Sequence, residues 1–485
     1  MNQHKLIVNN LKKKILLSFL TCAATYNLAF AQQKYSLDKC VNYALEHNLN
    51  IKQARFNAAL SDQDLRQSKY DLIPNLNGQV SQNFNKGRNI NPQTNIYVDQ
   101  NLNSTNFYIG SQVVLFSGLQ KLNAIKQNKF SLMAEQSNVE KTRQDITLNV
   151  VSEFLNTLYN QEQVTNFQNQ LAVSHTQVEI AKKKADVGTI TEADFLQLKA
   201  QNSTDELNLI TAQNQLAISL LNLRQLLNID QSVAFDIERP GELELMNIKT
   251  DYQQNAVYNE ALKINPEIKS LEYQRLASEK TLEIAKGRYY PTLSLGASYS
   301  TNYSNIAQKA TRTPGPDAAT GLYIQDPSGN IPVFGPTQII TTAPIPFGEQ
   351  FKNNVGRSVG FTLQIPLFNS LQVRTGVNKT KINLENAVVK EDLAKNQLNK
   401  TIAQAVADLK AAEKKHTAAE SSYESLKKAY EFSQKRFDVG LLNSLDLSIA
   451  KTNYSKAESD ALQAKYDMIF RSKVIDYYLG KPLTF

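Results

Sequence analysis

The run Lys184-Ala185-Asp186-Val187-Gly188-Thr189-Ile190-Thr191-Glu192-Ala193-Asp194 returns 252 positions later as Arg436-Phe437-Asp438-Val439-Gly440-Leu441-Leu442-Asn443-Ser444-Leu445-Asp446. Each run has a Val-Gly pair near its centre. Glycine ends a helix readily because it accepts positive φ. Thr191 in the first run, and Asn443 or Ser444 in the second, can cap a helix that starts again. Both runs therefore read as turns between antiparallel helices. Working back from the first turn, no proline occurs between Ser117 and Ala185, and Val164, Phe167, Leu171, Val178, Ala181 and Ala185 recur at mixed spacings of three and four. Before the second turn Leu398, Ile402, Val406 and Leu409 repeat the pattern. Such a stripe is coiled-coil-like. The spacing predicts long helices over about 117–185 and 369–437, each a rod of roughly 100 Å at the helical rise per residue. Return helices are expected near 191–228 and 443–479.

The duplication extends beyond the turns. Ala44-Leu45-Glu46 is matched by Ala261-Leu262-Lys263, and Pro74-Asn75-Leu76 by Pro291-Thr292-Leu293, both at an offset of 217. Leu115-Phe116-Ser117 is matched by Leu367-Phe368-Asn369 at the offset of 252 that relates the turns. The chain therefore divides into two structural repeats, 32–250 (closing on a linker at 229–250) and 251–485. Each has a lead-in helix, near 50–72 and 267–289. The offset changes once, by 35, between residues 303 and 357. Thr313-Pro314-Gly315-Pro316 through Pro344-Ile345-Pro346 lies there and reads as a long loop over 304–356.

Between lead-in helix and long helix, each repeat alternates apolar and polar residues. Leu76, Gly78, Val80 and Phe84 alternate with Asn77, Gln79, Ser81 and Asn83; Phe107, Ile109, Val113 and Leu115 share a second face. Leu293, Leu295, Ala297 and Tyr299 alternate with serines and a glycine, and Val359, Phe361, Leu363 and Ile365 with Ser358, Gly360, Thr362 and Gln364. Strands are expected at about 76–84, 107–116, 292–303 and 357–368. Roughly 9–11 residues is the length a tilted strand needs to cross a bilayer. Tyr289, Tyr290, Phe116 and Phe368 mark one set of ends, and Phe84, Tyr108 and Tyr303 the other, as interfacial aromatic belts require. Four strands cannot close a barrel, and an open edge in lipid leaves backbone groups unsatisfied. The subunits must then pool their strands in an obligate oligomer.

The N-terminus supplies a route to such a membrane. Lys12-Lys13-Lys14, the apolar run Ile15 to Ala24 and Ala29-Phe30-Ala31 form a secretory signal over 1–31 with cleavage after Ala31. Lipidation at Cys22 is the alternative processing. That segment carries four lysines and no acid, so half of the net charge of +8 leaves with it. The rest has no clustered basic surface, and nucleic acid is excluded as a partner. Mean hydropathy is −0.40, with no apolar run long enough for a membrane helix. Cys40 is the one thiol left, so no internal disulfide forms. His47, His175 and His416 make no metal-ligand set, and nucleotide-binding and nucleophile-turn motifs are absent. No cofactor, metal site or enzyme activity is expected.

Together these features resemble the TolC-like outer-membrane efflux family over about residues 35–485. The resemblance implies a mostly α fold with transmembrane β. Three subunits would form a 12-strand barrel in outer-membrane lipid, continuous with a periplasmic tunnel of helical hairpins. The helical tips would meet a periplasmic adapter (membrane-fusion) protein coupled to an inner-membrane pump of RND, ABC or MFS type. Gly87-Arg88-Asn89-Ile90-Asn91-Pro92 with Thr94-Asn95 is also similar to members from the Bacteroidota. The family pattern places a base four before the tip glycine and Asp six after it, as Lys184/Asp194 and Arg436/Asp446 do here. It implies docking through Val187, Gly188, Thr189, Ile190, Val439, Gly440, Leu441 and Leu442, with Val187, Ile190, Leu441 and Leu442 as an exposed apolar surface. The plainer alternative is that these residues only build the hairpins. Asp194 and Asp446, with Phe437, would line a periplasmic constriction where carboxylate rings select cations. Phe437 replaces a Tyr of the family's closed gate and Leu442 an Arg, so closure would rest on apolar contact. The implied function is a passive exit duct of a tripartite export system. The alternative is a coiled-coil surface protein, structural or adhesive, anchored by its strands.

Overall fold

The structure, a computed structural model, describes residues 34–90, 95–241 and 249–483. The secretory signal over 1–31 and Cys22 lie outside the described residues, as do Asn91, Pro92 and Thr94. The first half comprises β1 (Lys34–Tyr35), α1 (Leu37–His47), α2 (Leu49–Tyr70), β2 (Asn75–Ile90), β3 (Tyr97–Ser117), α3 (Gln120–Asp186), α4 (Glu192–Leu227) and β4 (Asp236–Ile237). The second begins with α5 (Gln254–Ile264), α6 (Pro266–Gly287) and β5 (Thr292–Ser304). Next come β6 (Gln308–Pro314), β7 (Ala318–Asp326), β8 (Gly329–Gly335), β9 (Gln338–Pro344) and α7 (Phe347–Asn353). It ends with β10 (Gly356–Gln364), α8 (Gln372–Asp438) and α9 (Ser444–Tyr478). The chain forms two compact units, one from Gln63–Lys129 and Ala277–Leu384, the other from Met1–Asp62, Phe130–Leu276 and Glu385–Phe485.

In the first unit β10, β5, β3 and β2 lie side by side in that order, each pair antiparallel. The pairing sorts side chains onto two chemically opposite faces. Leu76, Ser111, Ala297 and Val359 stand in one row across the sheet, with Val113, Leu295 and Phe361 beside them and Val80, Phe107 and Thr301 on the other flank. The intervening rows read Asn77, Gly110, Ser298, Ser358 and Asn75, Gln112, Gly296, Gly360. Leu76, Val80, Val359 and Phe361 are largely exposed on the apolar face. Alternation with period two thus becomes one lipid-compatible surface and one polar surface. A bulge at Leu115 shifts the pairing between Val114 and Phe116. Tyr108 belongs to the polar rows, opposite Gln79 and Ser300, and its ring lies over Gly110. It is therefore not part of an aromatic belt on the apolar face, where Phe84 and Tyr303 do stand.

Three boundaries differ from the sequence reading, the first being that of β10, which ends at Gln364 rather than 368 and leaves Phe368 beyond the strand. β2 and β3 run on through most of 85–106 as a two-stranded ribbon. The segment 304–356 is not one loop: β6 pairs with β9 and β7 with β8, and the short helix α7 follows. Prolines 314, 332 and 344 stand within these strands. A two-stranded ribbon leaves each strand one open edge, where a residue without N–H is tolerated.

Each strand passes into its long helix through two successive left-handed residues, Gly118 and Leu119 in one half, Ser370 and Leu371 in the other, at φ between 54° and 62°. A side chain at Gly118 would collide with the Gly287 carbonyl oxygen. The helices α3 and α8 that follow are each 67 residues long.

The second unit holds the core. One cluster packs Val150, Val151, Phe154 and Leu158 of α3 against Leu37, Cys40 and Ala44 of α1, Leu223 and Leu227 of α4, and Ile469 of α9. Another packs Leu398, Ile402, Ala405 and Leu409 of α8 against Val257 and Ala261 of α5 and Ile475 of α9. The duplication is visible in detail. Asn48 and Asn265, 217 apart, each end a helix by donating N–H to Ala44 or Ala261, then turn their side-chain oxygens onto the N–H groups of Asn50 and Glu267. Burial of Cys40 pushes its thiol up to about 12, so it stays protonated and inert. No described helix is long and apolar enough to cross a membrane.

The two faces of the sheet make opposite demands. Leu295→Lys on the apolar face is expected to destabilise the membrane-inserted protein by about 2–4 kcal/mol if it sits near the bilayer midplane. Ser298→Lys on the polar face leaves it nearly unchanged. Urea unfolding of the protein in lipid vesicles measures both.

Candidate functional site

Both helical hairpins turn by the same hydrogen bonds. Gly188 has φ +75° and Gly440 φ +78°. Their N–H groups donate to the carbonyls of Ala185 and Phe437, and the next residues, Thr189 and Leu441, donate to Lys184 and Arg436 at 2.8 Å each. This doubly bonded close is the usual glycine-terminated helix end. The Thr189 hydroxyl adds a second bond to the Lys184 carbonyl, 2.9 Å.

The return helices are capped differently. Thr191 accepts from the Asp194 N–H (3.1 Å) while Asp194 takes the Thr191 N–H and hydroxyl, a reciprocal capping box. Asn443 accepts from the Asp446 N–H at 2.8 Å. Asp446 stays exposed and is the acidic residue of the first turn of α9.

Asp194 also joins the two hairpins. Its second carboxylate oxygen accepts from the Ser444 hydroxyl at 2.5 Å and from the Ser444 N–H at 3.4 Å. The Ser444 and Thr191 hydroxyls hold its carboxyl below the usual carboxylate range. Lys184 reaches across as well, its Nζ 3.4 Å from the Asp438 carbonyl and 5.8 Å from the centre of the Phe437 ring. Beneath these bonds Ala181, Leu198 and Leu447 are buried, and Val178, Ile190, Phe195, Phe437 and Leu442 pack on them.

This divides the apolar tip residues. Val187 (73% exposed), Val439 (70%) and Leu441 (69%) face outward. Ile190 and Leu442 are only partly exposed, because both pack on that cluster, which draws on the two hairpins. Sequence reasoning missed Leu445 and Ile449, both exposed on α9. With Leu441 they recur every four residues, outside the stripe that buries Leu447 and Lys451. That spacing was the available signal.

A second missed feature lies farther along the same helices. Lys451 of α9 and Asp205 of α4 form an ion pair with both side chains more than nine-tenths buried. Gln201 donates to the other Asp205 oxygen (2.9 Å), and Lys451 also approaches the Gln170 carbonyl (3.4 Å). Alongside, Tyr430 stacks on Tyr454 with ring centres 5.5 Å apart, and Gln177 of α3 donates to the Tyr430 hydroxyl. All four helices are thus joined by polar contacts behind the tips. Among the described residues, no group of three or more His, Cys, Asp or Glu could hold a metal ion.

A four-stranded antiparallel sheet with one mainly apolar face, in a chain whose 67-residue helices turn back at glycine tips, defines an outer-membrane channel subunit. The chain belongs to the outer membrane efflux protein family, whose model matches residues 40–228 and 257–481. It is 21% identical over 451 residues to the outer membrane protein TolC of Escherichia coli (strain K12), covering 89% of this chain and 82% of that one. Its fold matches the solved structure of CusC at a TM-score of 0.74 and 14% identity, covering 92% of each chain. It matches the Campylobacter jejuni CmeC outer membrane channel at 0.72 and 18% identity, covering 92% of this chain and 85% of that one. The protein is an outer-membrane efflux channel of the tripartite type, with its helical part in the periplasm.

Two measurements test the tip and the polar core. The Asp194 pKa is depressed in the folded state, so its contribution is present above the ordinary carboxylate pKa of about 4 and is lost as pH falls through the lowered value. Protection of the tip amides, relative to their intrinsic exchange, should therefore fall on acidification below the ordinary carboxylate range, and at a higher pH in Ser444→Ala. Identical profiles would contradict the link. Lys451→Met leaves Asp205 buried without its partner and is expected to lower stability by about 3–5 kcal/mol. Combining it with Asp205→Leu should restore most of that in thermal unfolding.

Proposed function

We propose that three copies of this chain close a shared barrel and act as the passive outer duct of a tripartite exporter. An inner-membrane pump of RND, ABC or MFS type, coupled through a periplasmic adapter protein, supplies the energy. The observation that carries this reading is the open sheet, whose apolar face suits lipid while β10 and β2 remain unpaired at its edges. Backbone groups at such edges require partners inside a bilayer, and other copies of the same sheet supply them.

The exposed Val187, Val439 and Leu441, extended by Leu445 and Ile449, form the adapter-docking surface in this reading. Gly188, Thr189 and Gly440 shape the turns that present it. Ile190 and Leu442 support it from beneath. Asp446, exposed at the start of α9, is the stronger candidate for a cation-selecting carboxylate ring, because Asp194 is already committed to Ser444. Phe437, packed between the hairpins, contributes to apolar closure near the constriction. A strand-anchored adhesin is not favoured: it gives no role to a sheet with a continuous polar face.

Purified protein should conduct in planar bilayers as a narrow, cation-preferring channel, and Asp446→Asn should reduce that preference. Total absence of conductance would sink the duct. A photocrosslinking residue at Val187 or Leu441 should capture the adapter in cells, whereas one at buried Leu447 should not.

A further inference from the structure

The 35 residues by which the second repeat exceeds the first lie in β6 to β9, and their surface is unlike the rest of the β unit. The root is firmly held. The Ile345 N–H donates to the Ala307 carbonyl, and Asn305 exchanges bonds with Asn103 and Asn101 of β3. Gln350 of α7 is buried, and its amide clamps both backbone groups of Ser304. Beyond that root the ribbon is exposed along its length, yet its far half is apolar on both faces. Ile324 pairs with Ile331, and Leu322 shares their face. Tyr323 pairs with Pro332 on the other face, and Phe334 lies on the same side. Leu322, Tyr323, Ile324 and Phe334 are each at least 60% exposed.

An isolated two-stranded ribbon is marginal in water, and stability needs a third strand or a packed face. Hydrocarbon cannot supply it, because the ribbon's outer edges carry unpaired backbone groups. We propose that the ribbons of neighbouring copies pack on one another, through Leu322, Ile324 and Ile331 on one face and Tyr323 and Phe334 on the other, into a joint extracellular crown. Two features favour a second copy as the occupant. The ribbon is joined through the short helix α7 to β10, the edge strand at which the sheet must meet the next copy. Its charges also cancel, Lys309 and Arg312 against Asp317 and Asp326, so like copies do not repel. Subunits joined at the barrel hold their ribbons at high effective concentration, where weak contacts suffice. The inference rests on the trimeric reading.

The test uses the full chain with Cys22→Ser, in which Cys40 is buried and the parent protein is a blank. Ile324→Cys with Phe334→Cys should form disulfide-linked dimers and trimers under mild oxidation in intact outer membranes, whereas either cysteine alone should not, because the faces that meet are opposite ones. Replacing Leu322, Ile324 and Ile331 by Ser should lower the temperature at which the oligomer dissociates by several degrees, with conductance kept. Intact oligomers whose cysteines label fully with maleimide and never crosslink would overturn the crown alone. Crosslinks exclusively to another protein would do the same. Recovery of monomers in mild detergent would overturn the trimeric reading and the crown with it.

Discussion

An unpaired peptide group in hydrocarbon has no water to turn to, and much of this molecule answers that constraint. The sheet presents apolar side chains on one face, yet β10 and β2 end it with open rows of N–H and C=O groups. Side chains cannot repair this, since the deficit lies in the backbone itself. In the trimeric reading proposed above, closure by other copies is a condition of residence in the bilayer rather than an addition to a finished subunit. The polar face follows from closure, because small residues such as Gly110, Gly296, Ser298 and Gly360 leave room on the inner side of a barrel. The duplication follows as well, since two similar halves let each subunit contribute antiparallel strands in matching pairs.

The helical unit solves a different problem, that of holding very long helices without a large globular core. Its apolar clusters are concentrated where α1 and α5 cross α3 and α8. Toward the tips they thin to one small cluster, supplemented by polar contacts. Those contacts bring specificity as much as strength. A buried Lys451–Asp205 pair tolerates few alternative registers between α9 and α4, whereas a stripe of Leu and Ala can slide. The tips are thus the least densely packed end of the unit, and Asp194 and Lys184 tie one hairpin to the other there.

Much of this was legible in the sequence because it is periodic. Spacings of three and four marked α3 and α8, alternation marked the faces of β5 and β10, and Val187-Gly188 and Val439-Gly440 marked the turns. What was not legible depends on chain segments that meet far apart in sequence. Lys451 and Asp205 are separated by 246 positions and stand in unremarkable polar surroundings. Ile190 and Leu442 look exposed in their own turns and are partly covered in a cluster to which both hairpins contribute. Tyr108 could be assigned to a face only once the pairing of β3 was known. The ribbon of β6 to β9 was concealed by composition, since its prolines and glycines signal loops except where a strand keeps an open edge.

That ribbon also shows where this architecture tolerates change. A connection between two antiparallel strands can lengthen without altering their register, and the entropy of closing it grows only slowly with length. Thirty-five residues are accommodated between β5 and β10 while Leu293 still faces Leu363 and Ser300 still faces Gly356. The conducting parts carry no such freedom, because a residue inserted in α3 would rotate every later contact. In the proposed orientation, antibodies, phages and other agents that approach from outside therefore meet a stretch of this chain that can be rewritten without altering the route through it.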